Sequence, residues 1–143
     1  MGEQLKVFTV EEANQLIPVL TELLTVLKEK HSHAVDLEAQ IDALELVSNP
    51  DSDLSVEELN VHLEKHREAA DDFYKIVDEI QSYGCFLKDA EMGLIDFYAV
   101  LEGKVVYLCW KLGERKVEHW HEIGKGYAFR QPLKSHAKDK GED

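Results

Sequence analysis

The sequence has few cysteines, a deficit of basic residues and no long apolar run. It contains two cysteines among 143 residues, and 29 acidic residues against 16 basic ones give a formal net charge of -13. The longest apolar stretches are a few residues, whereas a membrane-spanning helix needs roughly 20. Because excess negative charge repels phosphates, nucleic acids and anionic membrane surfaces are poor partners. We expect neither a membrane protein nor a nucleic-acid-binding protein.

Nothing at the N-terminus resembles a targeting segment. The first residues lack the charged-then-apolar plan of a signal peptide, and Lys6 stands where a myristoylation motif requires Ser or Thr. We therefore expect a cytoplasmic protein. Because the cytosol keeps thiols reduced, Cys85 and Cys109 are expected to be free thiols.

The first part of the sequence predicts two long helices. Thr9 and Glu12 fit a capping box, and apolar residues then recur at three- and four-residue steps to about Val47. Pro18 lacks an amide hydrogen, so a bend is expected between the second and third turns.

A polar turn at residues 48–53 separates this helix from a second one. Ser55 and Glu58 repeat the capping-box spacing, and the helix is expected to end near Gly84. Two such helices should lie antiparallel as a helical hairpin of about residues 9–83, packed in coiled-coil fashion. The apolar stripe of the second helix comprises Val56, Leu59, Leu63, His66, Ala70, Phe73, Val77 and Ile80.

After Gly84 the apolar period changes to two, which predicts a small antiparallel β-meander at about residues 85–123. The predicted strands are residues 86–88, 94–98, 104–110 and 117–121. We expect the meander to pack on the hairpin. Together they make one α+β domain, residues 1–133, followed by a disordered polar tail at residues 134–143.

Glu102 and Gly103 are typical of a two-residue hairpin turn, which sets the register of the two central strands. The predicted pairs are Leu101 with Lys104, Phe97 with Leu108, and Asp96 with Cys109. One face is then apolar, with Ile95, Phe97, Val106, Leu108 and Trp110. The other face carries polar and reactive groups, namely Asp96, Tyr98, Tyr107 and Cys109.

Several segments together resemble a single family. They read FTVEEAN at residues 8–14, GCFLKD at 84–89, GLIDF at 93–97, VYLCWKLGE at 106–114 and WHE at 120–122. With Arg130 and Pro132, they resemble the uncharacterised prokaryotic family called domain of unknown function 2203. The resemblance implies no activity. It directs attention to the matching positions Cys85, Asp96, Cys109, Glu114, His121 and Arg130.

A metal site is the first hypothesis for this set, with Cys85, Asp96, Cys109 and His121 as ligands. Thiolate, imidazole and carboxylate are the ligands that zinc and iron(II) accept. The spacing matches no zinc finger or ribbon, because neither cysteine belongs to a Cys-x-x-Cys pair. Alternatively, Cys109 is a small apolar side chain that serves packing alone.

A cysteine-dependent enzyme is a further alternative, with His121 activating Cys109 and Asp96 orienting the imidazole ring. A carboxylate opposite a thiol raises the thiol pKa, however, which works against a reactive thiolate. The sequence leaves open whether the protein is an enzyme, and it identifies no catalytic residue.

Other histidines have ordinary explanations. If the strand is extended, His119 and His121 share one face and could supply two metal ligands, but surface or hydrogen-bonded histidines are the favoured explanation. His62 and His66 are one helical turn apart, a spacing that can bind a metal ion, but no further ligands accompany them.

A small anionic ligand is the second type of site considered. Arg130 can bind a carboxylate or phosphate through two hydrogen bonds, with Glu114 and Glu122 nearby in the chain and Lys88 and Lys125 completing a basic set. The simpler alternative is a salt bridge from Arg130 to one of the many acids.

The sequence thus leads to a binding domain that uses the polar face of the meander, with a zinc or iron ion or an anionic ligand. The competing hypothesis is an interaction module, in which the helical hairpin forms a homo-oligomer or binds another helical protein. A cysteine- or metal-dependent enzyme of unidentified substrate is the third.

Overall fold

The structure is a computed structural model that describes residues 6–47 and 53–133. Helices come first and an antiparallel sheet follows, which confirms the predicted α+β class. The chain divides into two compact units. The sheet unit holds residues 6–24 and 79–133 of the described chain, and the helical unit holds residues 25–47 and 53–78. A single domain stays a prediction, and the predicted tail lies outside the described residues.

The first predicted helix is two helices. The N-terminal one, α1, spans Val10–Gln15, and its capping box is confirmed: Thr9 Oγ1 accepts from the Glu12 amide at 3.0 Å, and the Glu12 carboxylate accepts from the Thr9 amide at 3.0 Å. After Leu16, helix α2 spans Ile17–Val47. Pro18 explains the break, because it has no amide hydrogen to donate to the Asn14 carbonyl.

The second long helix, α3, spans Asp53–Ser82. Its start corrects the predicted cap, because Ser55 lies inside the helix instead of preceding it. The predicted turn falls mostly on residues 48–52, which lie outside the described part of the chain. No helix within the described residues is long and apolar enough to cross a membrane.

Helices α2 and α3 pack against each other. Lys30 Nζ lies 3.6 Å from Asp72 Oδ2, and the His31 and Phe73 rings lie 5.8 Å apart. In each contact, the α2 residue lies about as far before residues 48–52 as the α3 residue lies after them. The two helices therefore run antiparallel. The buried side chains of the helical unit are Leu27, Leu37, Ile41 and Ala69. The predicted stripe of α3 is less buried than expected, since Val56 and Leu63 are 45% and 44% exposed.

The sheet is an antiparallel meander of five strands in chain order. The strands are β1 Phe86–Asp89, β2 Leu94–Leu101, β3 Lys104–Lys111, β4 His119–Glu122 and β5 Gln131–Pro132. The fourth strand starts later than predicted, because the Val117 amide donates to Asn14 Oδ1 at 2.7 Å instead of joining the sheet. The fifth strand was not predicted.

The central hairpin has the predicted register. Glu102 and Gly103 have φ angles of 53° and 77°, the positive values of a type I′ turn. All three predicted pairs are confirmed: Leu101 with Lys104, Phe97 with Leu108, and Asp96 with Cys109.

The apolar face of the sheet forms the core of the sheet unit. Phe97 is fully buried and packs edge-to-face on Phe8, with ring centres 5.0 Å apart. The other fully buried side chains in this unit include Leu20, Leu24, Ile80, Ile95, Leu108 and Trp110. With this face committed to packing, a site in the sheet unit has to use the opposite face.

Candidate metal centre

Three strands bring their polar residues to the same face of the sheet. Asp96 of β2 pairs with Cys109 of β3, and Tyr107 of β3 pairs with His121 of β4. Because directly paired residues point to the same side, all four side chains share this face. His119 pairs with Cys109 and therefore joins them, which confirms that the two histidines of β4 lie on one face.

Asp96, Cys109 and His121 form a compact cluster, called here the ligand triad. One potential ligand atom from each lies within 4.8 Å of the other two. The three residues are 2%, 1% and 2% exposed. Within the described residues, no other group of three or more histidine, cysteine or acidic side chains is this close. Burial of such groups is expensive unless they are paired or bind a metal ion.

Both ring nitrogens of His121 face oxygen atoms. Nδ1 lies 3.0 Å from the Glu122 carbonyl, which can only accept, so Nδ1 carries a hydrogen and donates. Nε2 lies 3.0 Å from Asp96 Oδ2, close enough for a hydrogen bond. One proton therefore lies between Nε2 and the carboxyl group. A metal ion that replaces this proton would find Nε2 and Oδ2 already directed at it.

The second carboxyl oxygen of Asp96 is an orphan. Oδ1 is buried and has no hydrogen-bond partner by distance and angle among the described residues, although the Cys109 thiol interacts with this carboxyl group. Burial raises the pKa of Asp96, and the neighbouring His121 and the interaction with the Cys109 thiol oppose this rise. A buried acceptor without a donor costs about 1–3 kcal/mol of stability. A bound cation would remove that cost.

Cys109 is held as a thiol in the absence of a metal ion. Burial, and next the Asp96 carboxylate, raise its pKa to about 12, which confirms the predicted effect of the acid. Arg130 opposes the rise, with Nη1 4.0 Å from Sγ. A thiol with this pKa is a poor nucleophile at neutral pH, which argues against cysteine catalysis. A metal ion would supply the charge that ionises it.

Arg130 is fixed by Glu114. Its two terminal nitrogens donate to the two carboxylate oxygens at 3.3 and 2.8 Å, a bidentate pair. Although burial raises the pKa of Glu114, the hydrogen bonds from Arg130 lower it below its usual value overall. Two of the three residues predicted to bind a ligand, Glu114 and Arg130, thus bind each other, and the guanidinium stays beside the Cys109 sulfur.

Other predicted site residues lie outside the triad. Cys85 is buried, its thiol donates to the Ile80 carbonyl at 3.3 Å, and burial raises its pKa to about 12. The Glu122 carboxylate bonds Lys104 Nζ at 3.0 Å and stays partly exposed. In the helical unit, His62 Nδ1 bonds the Glu58 carbonyl at 2.9 Å.

A cavity of about 310 Å³ opens beside the triad. The triad residues form part of its wall, together with Lys88, Asp89, Met92, Leu94, Lys125, Gly126 and Tyr127. Lys88 and Lys125 belong to the predicted basic set, whereas Met92 and Tyr127 carry no sequence signal. Met92 lies in a turn and Tyr127 begins a three-residue 3-10 helix, Tyr127–Phe129, and neither segment is long enough for periodicity to show the direction of a side chain.

The family comparison covers the whole sheet unit. A family model described as "Uncharacterized conserved protein (DUF2203)" matches residues 6–133. The chain belongs to the DUF2203 family. The resemblance found in the sequence is therefore confirmed. Comparisons with curated proteins and with solved structures find no match.

This DUF2203 member has a donor set that fits a zinc ion. Zinc bonds of about 2.0–2.3 Å separate tetrahedral ligand atoms by roughly 3.3–3.8 Å, so the triad needs only small side-chain adjustments. A zinc ion with one thiolate, one carboxylate and one neutral imidazole has no net charge. A neutral centre is the form that is least costly to bury.

Proposed function

We propose that this protein binds a zinc ion through Asp96, Cys109 and His121, with a fourth position open to the cavity. The observation that carries the proposal is the buried triad with its orphaned Asp96 Oδ1. Three protein ligands with one open position are typical of catalytic zinc sites, whereas structural sites have four protein ligands. A cysteine- or metal-dependent enzyme stays an alternative.

Two neighbours support the triad as ligands. The Glu122 carbonyl holds the hydrogen on His121 Nδ1, which leaves the Nε2 lone pair for the metal, an arrangement common around zinc-bound histidines. Arg130 places a positive charge beside the Cys109 sulfur and favours the thiolate. Cys85 is left out of the proposed site, because its thiol is already engaged with the Ile80 carbonyl.

The test is elemental analysis by mass spectrometry of untagged protein, as purified and after zinc addition and dialysis. We expect about one zinc ion per chain in the wild type and in Cys85→Ser. Cys109→Ser and His121→Ala should lose it, since even outer-shell changes cost about 10–100-fold in metal affinity. Circular dichroism checks that each variant is folded. A folded wild type that retains no zinc, iron or other transition metal contradicts the proposal.

Self-association through the helical unit is the second candidate function. Val56, Leu63 and Tyr74 lie along one side of α3 and are 45%, 44% and 63% exposed. Exposed apolar side chains at helical spacing are typical of helix-pairing surfaces. We expect Leu63→Glu with Tyr74→Glu to convert a dimer to a monomer in analytical ultracentrifugation. A wild type that is monomeric at high concentration excludes this candidate.

A further inference from the structure

Two lysines line the cavity. Lys88 comes from the irregular part of β1, where the register shifts between Leu87 and Asp89, and its Nζ lies 4.7 Å from the Tyr107 ring centre. Lys125 follows β4, and its Nζ lies 4.9 Å from the Phe129 ring centre. Within the described residues, neither lysine has an acidic side chain within the 4.0 Å of an ion pair. Each charge therefore lies against an aromatic ring and at longer range from an acid, Asp96 for Lys88 and Glu122 for Lys125, and it can pair with a ligand in the cavity.

The charge of the cavity wall is positive once the metal centre is neutral. With Asp96 bound to zinc, Lys88, Lys125 and Asp89 are the remaining charged residues of the wall. Asp89 is engaged by the Met92 amide, which donates to Oδ1 at 2.9 Å. A positive wall is unexpected in a chain with a net charge of -13, which otherwise repels anions.

The remaining wall is apolar and the space is small. Met92, Leu94 and Tyr127 contribute the apolar side chains. The volume of about 310 Å³ is at the lower end of the range for small-molecule sites, roughly 300–1,000 Å³. Room exists for a short organic stem beside a charged group.

We propose that this cavity binds a small organic oxyanion, whose carboxylate or phosphate oxygen takes the fourth position on the zinc ion. Lys88 and Lys125 pair with its remaining charge, and Met92 and Leu94 contact its apolar stem. This assignment rests on the proposed zinc site and adds its ligand class. It does not use Glu114 or Arg130, whose charges are paired with each other.

Cobalt(II) in place of zinc provides the test, because a thiolate-bound tetrahedral cobalt ion has visible bands and a charge-transfer band from sulfur. The cobalt-loaded full chain is titrated with acetate and with butyrate. We expect both to change the visible bands. Butyrate should bind about 15-fold more tightly, because each of its two additional methylenes contributes about fourfold when buried.

Charge variants test the lysines. Lys88→Met and Lys125→Met should each weaken butyrate binding by about fivefold, the effect of one unit charge near 4 Å in a solvated site. The matched control is Lys116→Met, an exposed lysine outside the cavity wall that removes the same charge. It should leave the affinity unchanged.

The outcomes separate this inference from the zinc site itself. Visible cobalt bands that butyrate leaves unchanged, in protein that shows the sulfur-to-cobalt band, overturn the oxyanion inference, while the metal site stands. Binding that Lys116→Met weakens as much as Lys88→Met shows a general charge effect and also overturns it. Absence of the sulfur-to-cobalt band in folded protein refutes the metal site, and with it the inference.

Discussion

The sheet unit and the helical unit use the same residue types in different ways. In the sheet unit, His121 and Asp96 are 2% exposed and bond to each other. In the helical unit, His62 bonds a carbonyl one turn back on its own helix. The Lys30–Asp72 ion pair is 39% and 48% exposed. The His121–Asp96 pair of the sheet unit is therefore enclosed, whereas the Lys30–Asp72 pair of the helical unit stays at the surface.

The difference shows that the spacing of residues in the sequence is not enough to make a metal site. His62 and His66 have a metal-binding spacing, yet among the described side chains no third ligand atom lies close to both. On the sheet, cross-strand pairing brings groups from separate parts of the chain within a few ångströms, and burial removes the water that would compete for them. Burial of the side chains and their approach across strands, more than their spacing in the sequence, distinguish the candidate site.

The largest expected effect contrasts core packing in the two units. Phe97→Ala should lower the free energy of unfolding by about 3–5 kcal/mol, because the ring is fully buried and a cavity remains. Leu63→Ala in the helical unit should cost about 1 kcal/mol or less, since this side chain is 44% exposed. Urea unfolding measures both. Equal losses would mean that the helical stripe is as well packed as the sheet.

The next effect is the pH dependence of zinc affinity. Zinc must displace the Cys109 proton, held by a pKa of about 12, and the proton between His121 and Asp96. Release of two protons makes the apparent affinity rise about a hundredfold per pH unit near neutrality. Calorimetry in buffers of different ionisation enthalpy counts the protons. A count near zero would mean that the triad does not ligate the metal.

A smaller effect compares the ion pairs of the two units. Glu114→Gln should cost about 2 kcal/mol, because it leaves the largely buried Arg130 without its bidentate carboxylate. The matched change Asp72→Asn should cost less than about 0.5 kcal/mol, as its pair with Lys30 is exposed. Thermal unfolding at neutral pH measures both. Because the pKa of Glu114 is lowered, its contribution should be present at neutral pH and disappear as the pH falls below its usual pKa.

The smallest effect concerns the buried thiols in metal-free protein. Burial raises the pKa of Cys85 from 9.0 to about 12, so this thiol stabilises the fold fully below pH 9 and loses that contribution as the pH rises toward 12. The loss should be about 1.4 kcal/mol per pH unit for each thiol. Cys85→Ala should therefore have a shallower alkaline decline than the wild type. Unfolding curves between pH 8 and 10.5 check this slope, and identical slopes would mean that Cys85 is not enclosed.

Parts of the candidate site could be predicted from the sequence and others could not. The pairing of Asp96 with Cys109 followed from the Glu102–Gly103 turn, because a two-residue turn leaves one register. The register of His121 could not be predicted in this way, since the connection between β3 and β4 is longer than a two-residue turn and allows more than one register. The fifth strand, Gln131–Pro132, is too short to show any alternation.

The sequence by itself determined the features that depend on neighbouring residues. These are the Thr9 cap, the change of period after Gly84 and the central hairpin, each governed by hydrogen bonds and alternation over a few positions. Only the tertiary structure decided which thiol joins the triad and that Arg130 pairs with Glu114. Those outcomes depend on distances between residues far apart in the chain, which packing and burial determine and local patterns do not encode.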